Sequence, residues 1–320
     1  MNFTRDQVEK LSQLGSRGAF GAAMMELGAE DPNLFVITAD LGDATRVSQF
    51  GRAYPDQYLN IGIAEQNLVG AAAGMALAGR TVVATTFAAF ASMRACEQVR
   101  TDMGYMRANV KLVGADAGVV MGTLGNTHYA VEDIGVLRSC PYLTILSPAD
   151  GVEIVKATRA AVAMDGPVYI RLTGKAGLPV VYQEDFDFQI GKAVRLREGG
   201  DVTIFATGTM VYFALRAADV LAEQGVRARV VDMHTIKPLD AAEITAAAQE
   251  TGLLISVEEH NVLGGLGAAV AEVVAGIGNT PKLVRIGLPD SFGPIGTYEY
   301  QLQRYGLTAE QLAADIQRYL

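Results

Sequence analysis

Residues 5–29 carry a helix-spaced pattern in which Leu11, Leu14, Phe20, Met24 and Leu27 recur at intervals of three, four and six. Gly28 closes it, and Asp31-Pro32-Asn33 breaks the chain. Continuous apolar runs of strand length follow at 34–39, 80–87, 110–114, 143–146 and 168–172. None of these runs alternates polar with apolar, so each strand must be covered on both faces, as in a parallel sheet. Helix-length segments separate them. They include 88–103 and 151–163, the second opened by Asp150 as N-cap with Glu153 three residues on.

Between Gly174 and Gly191 the pattern loosens into Pro179 and an acidic Glu184-Asp185-Phe186-Asp187 stretch, and a domain boundary is expected there. A smaller βα series then runs through strands at 201–206, 229–233, 253–257 and 283–286, with helices at 212–224, from Ala241, and at 267–274. Thr308-Ala309-Glu310-Gln311 reads as a capping box for a last helix. The expected architecture is therefore α/β, with a parallel-sheet domain over 1–185 and a second α/β domain over 190–320.

Composition narrows the classes. Half of the 320 residues are hydrophobic, yet no uninterrupted apolar run approaches the ~20 residues that cross a bilayer. The formal net charge is −9 and no basic block occurs, which argues against nucleic acid or an anionic membrane as partner. Met1-Asn2-Phe3-Thr4-Arg5-Asp6 has neither an apolar signal core nor an Arg/Ser-rich transit pattern. With only Cys96 and Cys140, neither a disulfide framework nor a metal cluster is indicated, and a cytoplasmic setting is expected.

Ligands of open α/β sheets gather at the carboxyl ends of the strands, and three such loops of the first domain hold suitable residues. One is Ala39-Asp40-Leu41-Gly42-Asp43. Another is Ile63-Ala64-Glu65-Gln66, where Glu65 precedes a small-residue apolar helix that is expected to be packed in on several sides. The third is Phe87-Ala88-Ala89-Phe90, two aromatics among small residues, which offers a flat face to a planar ring or serves simply as core. A glycine-rich loop, Gly118 to His128, ends ahead of Glu132-Asp133. His128 is a functional candidate there, or else caps a backbone carbonyl. His234 sits before the turn-like Lys237-Pro238. His260 precedes Gly264-Gly265-Leu266-Gly267, which lacks the Lys and Ser/Thr of a phosphate loop and reads as close strand-to-helix packing.

Gly62-Ile63-Ala64-Glu65-Gln66-Asn67, Thr86-Phe87-x-x-Phe90, Gly125-Asn126-Thr127-His128, Leu146-Ser147-Pro148-Ala149-Asp150 and Val257-Glu258-Glu259-His260 occur in the order found in the carboxyl-terminal half of transketolase. The chain resembles that section over nearly its whole length. The resemblance implies a thiamine-diphosphate pyrimidine-binding domain followed by the smaller transketolase C-terminal domain. It gives Glu65 a task, bonding N1′ of the aminopyrimidine and favouring its imino tautomer, for which burial would raise the carboxyl pKa. By the same resemblance Phe87 and Phe90 pack on the pyrimidine, with Asp40, Leu41 and Ile63 beside the cofactor. His128 bonds the donor sugar's hydroxyls, and Arg94, Arg171 and Lys175 complete the substrate-binding candidates.

The family's Gly-Asp-Gly…Asn segment, which ligates Mg²⁺ at the diphosphate, has no match here, and no metal ligand is expected in this chain. The resemblance thus implies one subunit of a split transketolase, sharing thiamine diphosphate with a separate N-terminal-type subunit that holds Mg²⁺ or Ca²⁺, in an α₂β₂ assembly that acts on sugars or sugar phosphates. Three positions depart from the family pattern: Leu124 where an Asp contacts the sugar, Gly174 where an Arg grips phosphate, and Met93 where an aromatic is common. They point to an unusual sugar. The alternatives are the β subunit of a 2-oxoacid dehydrogenase, a deoxyxylulose-phosphate-synthase-like enzyme, or a catalytically silent regulatory subunit.

Overall fold

The structure, a computed structural model, describes residues 3–320; Met1 and Asn2 of the amino-terminal stretch lie outside the described residues. The apolar runs form the strands β1 (Leu34–Thr38), β2 (Tyr58–Asn60), β3 (Thr81–Phe87), β4 (Val110–Ala115), β5 (Thr144–Leu146) and β6 (Val168–Arg171). β4 and β6 are buried at every position and β3 at all but its first, as two-sided coverage requires. The second series supplies β7 (Val194–Arg197), β8 (Val202–Ala206), β9 (Ala228–Asp232), β10 (Thr235–Lys237), β11 (Leu253–Asn261) and β12 (Lys282–Leu288).

Two sheets result. The first has the order β10-β5-β6-β4-β3-β1-β2, parallel except for β10, and the second has the order β12-β11-β8-β9-β7, parallel except for β7. The turn-like segment before Pro238 is therefore an edge strand, which the second half of the chain lends to the sheet of the first. One core cluster joins Tyr169 and Ile145 of the first sheet to Phe205, Val231 and Leu254 of the second. The halves are fused by packing as well as by the linker.

Two helices follow their sequence signals. Thr4 and Gln7 form a reciprocal capping box on helix Arg5–Glu30. Asp150 accepts from the Glu153 amide at 2.9 Å at the head of helix Gly151–Ala163. The first helix is broken at Gly15, whose φ of 71° leaves room for the Lys175 carbonyl 2.5 Å from where a Cβ would stand. At the last helix, Ala309–Gln317, the expected box does not close. The Thr308 hydroxyl bonds Gln311 Oε1, and that side chain turns instead to the Gln303 carbonyl.

The expected helix 88–103 is also different. It breaks into a widened π-type turn at Phe90–Arg94, a short α-helical piece at Cys96–Gln98, and a second π-type turn at Val99–Tyr105. The Ala95 amide closes the first turn on the Phe90 carbonyl, five residues back, instead of on Ala91. Helical periodicity survives such an insertion, so the apolar pattern predicts a plain helix.

Candidate active site

From β1 the chain passes to β2 at one edge and returns to β3 on β1's other side, so connections leave the β1 and β3 ends in opposite directions. A crevice opens at such a switch point. Asp40, just past β1, adopts φ 61°, a left-handed conformation Asp tolerates. Asn60 at the end of β2 braces it: Asn60 Oδ1 accepts from the Asp40 and Gly62 amides at 3.0 Å each, and Asn60 Nδ2 donates to Asp40 Oδ1 at 3.1 Å. This fixes the loop that delivers Glu65 to the head of helix Glu65–Leu77.

Glu65 is 3% exposed, and its Oε1 accepts from Arg94 Nη1 at 2.7 Å. The Arg94 guanidinium also lies over the Phe90 ring, 4.0 Å from its centroid. Both residues belong to the π-type turn, Phe90 opening it and Arg94 closing it four residues on. Phe87 and Phe90 sit 5.9 Å apart, and the His128 ring stands 6.3 Å from Phe87 and 5.4 Å from Phe90. His128 Nδ1 bonds the Thr127 hydroxyl at 2.9 Å. The structure thus brings together Glu65, Arg94, Phe87, Phe90 and His128. Asp40, Leu41 and Ile63 stand at the neighbouring strand ends, with Ile63 75% exposed.

The helix behind Glu65 is not packed in on several sides. Leu68, Val69, Ala72 and Ala73 are buried, whereas Gln66, Asn67, Gly74 and Leu77 are exposed, and Met93 lies open nearby. Among the described residues no element covers this face, and Ile63, Leu77 and Met93 stay bare beside Gln66 and Asn67.

The substrate-side cations divide. Arg171 is 1% exposed and locked in place: its Nε donates to Asp133 Oδ2 at 2.9 Å, and its Nη2 to the carbonyls of Ala130 and Glu259. Its guanidinium is buried and held within the chain, away from Glu65, Phe87, Phe90 and His128, and it ties the two halves together. Lys175 remains half exposed and pairs with Glu299. Gly174 has φ 79°, and a Cβ there would crowd the Leu178 and Thr209 side chains, so an Arg at this position is strained. Leu124 is 49% exposed on the glycine-rich loop.

Two groups have no counterpart among the sequence-based candidates. Asp116, just past β4, is buried with φ 55° and pairs with Arg17 at 3.2 Å; burial pushes its pKa up to about 6 despite that cation. The available signal is a lone Asp among small residues at a buried strand end. The other is Glu259, which accepts from the Val119 amide at 2.7 Å. Its partner lies too far away in sequence for any local pattern to reveal.

The other histidines are structural. His234 is buried beside Phe188, ring centroids 4.3 Å apart, and burial lowers its pKa to about 4. His260 is buried and accepts the Gly135 amide at Nε2. The glycines after it act as packing. Glu258 accepts from the Leu266 and Gly267 amides at 2.6 and 2.8 Å, filling the place of an anion, and a Cβ on Gly265 would collide with Glu258 Oε2.

Family models described as "Transketolase, pyrimidine binding domain" and "Transketolase, C-terminal domain" match residues 12–177 and 191–312. The chain belongs to the transketolase family. It is 39% identical over 304 residues to a 6-deoxy-6-sulfo-D-fructose transketolase subunit of Clostridium sp., covering 95% of this chain and 94% of that one. It is 40% identical over 301 residues to one subunit of an apulose-4-phosphate transketolase of Phocaeicola vulgatus, covering 93% and 95%. A solved structure described as a split gene transketolase, inactive beta4 tetramer, superposes with a TM-score of 0.86 at 40% identity, covering 96% of this chain and 98% of that one. No helix among the described residues is long and apolar enough to cross a membrane.

Proposed function

We propose that this chain is the pyrimidine-holding subunit of a two-chain, thiamine-diphosphate-dependent transketolase that moves a two-carbon ketol unit from a ketose to an aldose. The observation that carries the reading is Arg94. A planar, N–H-bearing group lies over Phe90 and donates to the buried Glu65 carboxylate, and an aminopyrimidine makes the same two demands. The residues present therefore fit that ring. Among the described residues, no group of three His, Cys, Asp or Glu side chains is placed to hold a metal ion. The proposal gives Mg²⁺ or Ca²⁺ and the diphosphate to a separate N-terminal-type subunit, in an α₂β₂ assembly. The exposed Ile63, Leu77 and Met93 beside Glu65 support docking of that subunit.

Thiamine diphosphate, when bound, supplies the carbon-acid chemistry that ketol transfer needs. Glu65 Oε1 is the atom that holds the proton shared with the ring, once Arg94 has given up its place. Phe87 and Phe90 orient the ring and keep water from its face, and His128, facing them, bonds the sugar's hydroxyls. The two named relatives act on a sulfonated and a phosphorylated sugar. A substrate with an anionic end would have to draw Arg17 or Lys175 away from its present partner, Asp116 or Glu299.

The test is to co-express the chain with an N-terminal-type partner subunit and assay transfer from several ketoses. Glu65→Gln is expected to lower turnover by about 10²- to 10⁴-fold, the usual range for a lost proton-transfer group, with assembly intact. A variant pair as active as the parent would overturn the proposal.

A further inference from the structure

The residues that form the floor of the site all come from the first half of the chain, which leaves the second half without a role at the crevice. The loop carrying His128 supplies one. Its neck is a two-way bridge, with the Gly118 amide donating to the Ala130 carbonyl at 2.8 Å and the Ala130 amide donating back at 3.0 Å. Onto this neck comes Glu259, near the end of β11 in the second sheet and 1% exposed. Its Oε1 accepts from the Val119 amide at 2.7 Å, while Oε2 accepts from the Thr209 hydroxyl at 3.0 Å and the Tyr298 hydroxyl at 2.7 Å.

The approach is close enough to dictate sequence. Gly118 has φ 74°, and a Cβ there would collide with Glu259 Oε1. One turn past the neck the second half takes hold again. The Gly296 amide donates to the Gly122 carbonyl at 3.1 Å, and Asn126 exchanges hydrogen bonds with the Gly293 carbonyl and amide at 2.8 and 3.2 Å. The Tyr129 hydroxyl spans Gly122 and Pro294. The loop is thus held at its neck by a buried carboxylate and along its length by 293–296. Tyr298, two residues beyond that segment, is one of the donors that orient the carboxylate.

The geometry points to Glu259 as a positioning residue. Through Val119 and the Gly118–Ala130 neck, and with Tyr298 and Thr209 holding its other oxygen, it sets where the His128 imidazole stands against the Phe87–Phe90 face. This rests on the reading of His128 given under Proposed function. A carboxylate suits the task because it accepts on both oxygens at once, so one rigid group links the loop neck to two elements of the second sheet's domain. A displacement of the imidazole by about 1 Å is enough to lower the rate on the order of 10²-fold.

The experiment uses the reconstituted two-subunit enzyme with the ketose that the parent pair turns over fastest. Glu259→Ala is expected to lower kcat/KM by about 10²-fold, and Glu259→Gln, which keeps an acceptor for Val119, to restore most of it. Tyr298→Phe should give a smaller loss in the same direction. Because Glu259 acts through His128, Glu259→Ala combined with His128→Ala should lose no more than the worse single variant. Losses that multiply, or an unchanged Glu259→Ala, would overturn the inference. Hydrogen exchange of the assembled Glu259→Ala protein provides a separate arm. Faster exchange confined to residues 118–130 supports the anchor, and unchanged exchange there sinks it. If His128→Ala alone kept full activity, the reading of His128 would fail, while the exchange arm would still decide whether Glu259 anchors the loop.

Discussion

Arg94 makes two contacts that pull in one direction. Its guanidinium is planar and delocalised, with several N–H groups, so it can lie over Phe90 and donate to Glu65 at the same time. Arg94 is 47% exposed while Glu65 is 3% exposed, so solvent screens much of the attraction, and the pair is worth on the order of 1 kcal/mol or less. A cofactor ring that needs both surfaces must break this pair first. Arg94→Gln is accordingly expected to tighten thiamine diphosphate binding to the assembled enzyme by up to about fivefold, measured calorimetrically. Weaker binding by the variant would mean that Arg94 supports the ring instead of standing in its way.

At the level of elements, what the sequence reveals and what it hides have physical causes. Parallel strands buried on both faces must be continuous apolar runs, so β1, β3, β4, β5 and β6 are visible within a residue or two. Glu65, Phe87, Phe90 and His128 are visible because they lie at strand ends or in a glycine-rich loop, where chemistry collects. The π-type turns are invisible, because one extra residue in a turn leaves an apolar pattern intact. β10 is invisible because three residues carry no periodicity and their partner is remote. In sequence the 174–178 segment looks as though it has lost a phosphate-binding Arg, but its left-handed backbone at Gly174 and the crowding by Leu178 and Thr209 disfavour one. Gly174→Arg should destabilise the protein by at least 1 kcal/mol or so, seen as a lower unfolding midpoint, and should gain no activity toward phosphorylated sugars.

The whole molecule is joined where acids meet. Asp150 accepts from the Val181 and Tyr182 amides at 2.8 Å each, Tyr182 donates its hydroxyl to Asp232 Oδ2 at 2.8 Å, and Asp232 in turn faces Glu153. The remaining oxygens of that pair, Glu153 Oε1 and Asp232 Oδ1, have no other donor, so a proton held between the two carboxyls satisfies both. Glu153 belongs to the helix after β5 and Asp232 to β9, so this proton lies between the two halves of the chain. Burial pushes Asp232 up to about 7 and Glu153 well above its ordinary value. Both pKa values rise on folding, so the folded state holds a proton that the unfolded chain releases near pH 4. The stabilisation is complete at acid pH and fades as pH rises through about 7. The pair's contribution should therefore lower the unfolding midpoint by about 2–4 °C between about pH 5 and pH 7. Asp232→Asn, whose amide donates to Glu153 without titrating, should flatten part of that slope. The rest should persist, since burial raises Asp116 and Glu258 in the same direction. A slope identical in the variant and the parent would show that the proton between the halves contributes nothing to holding them together.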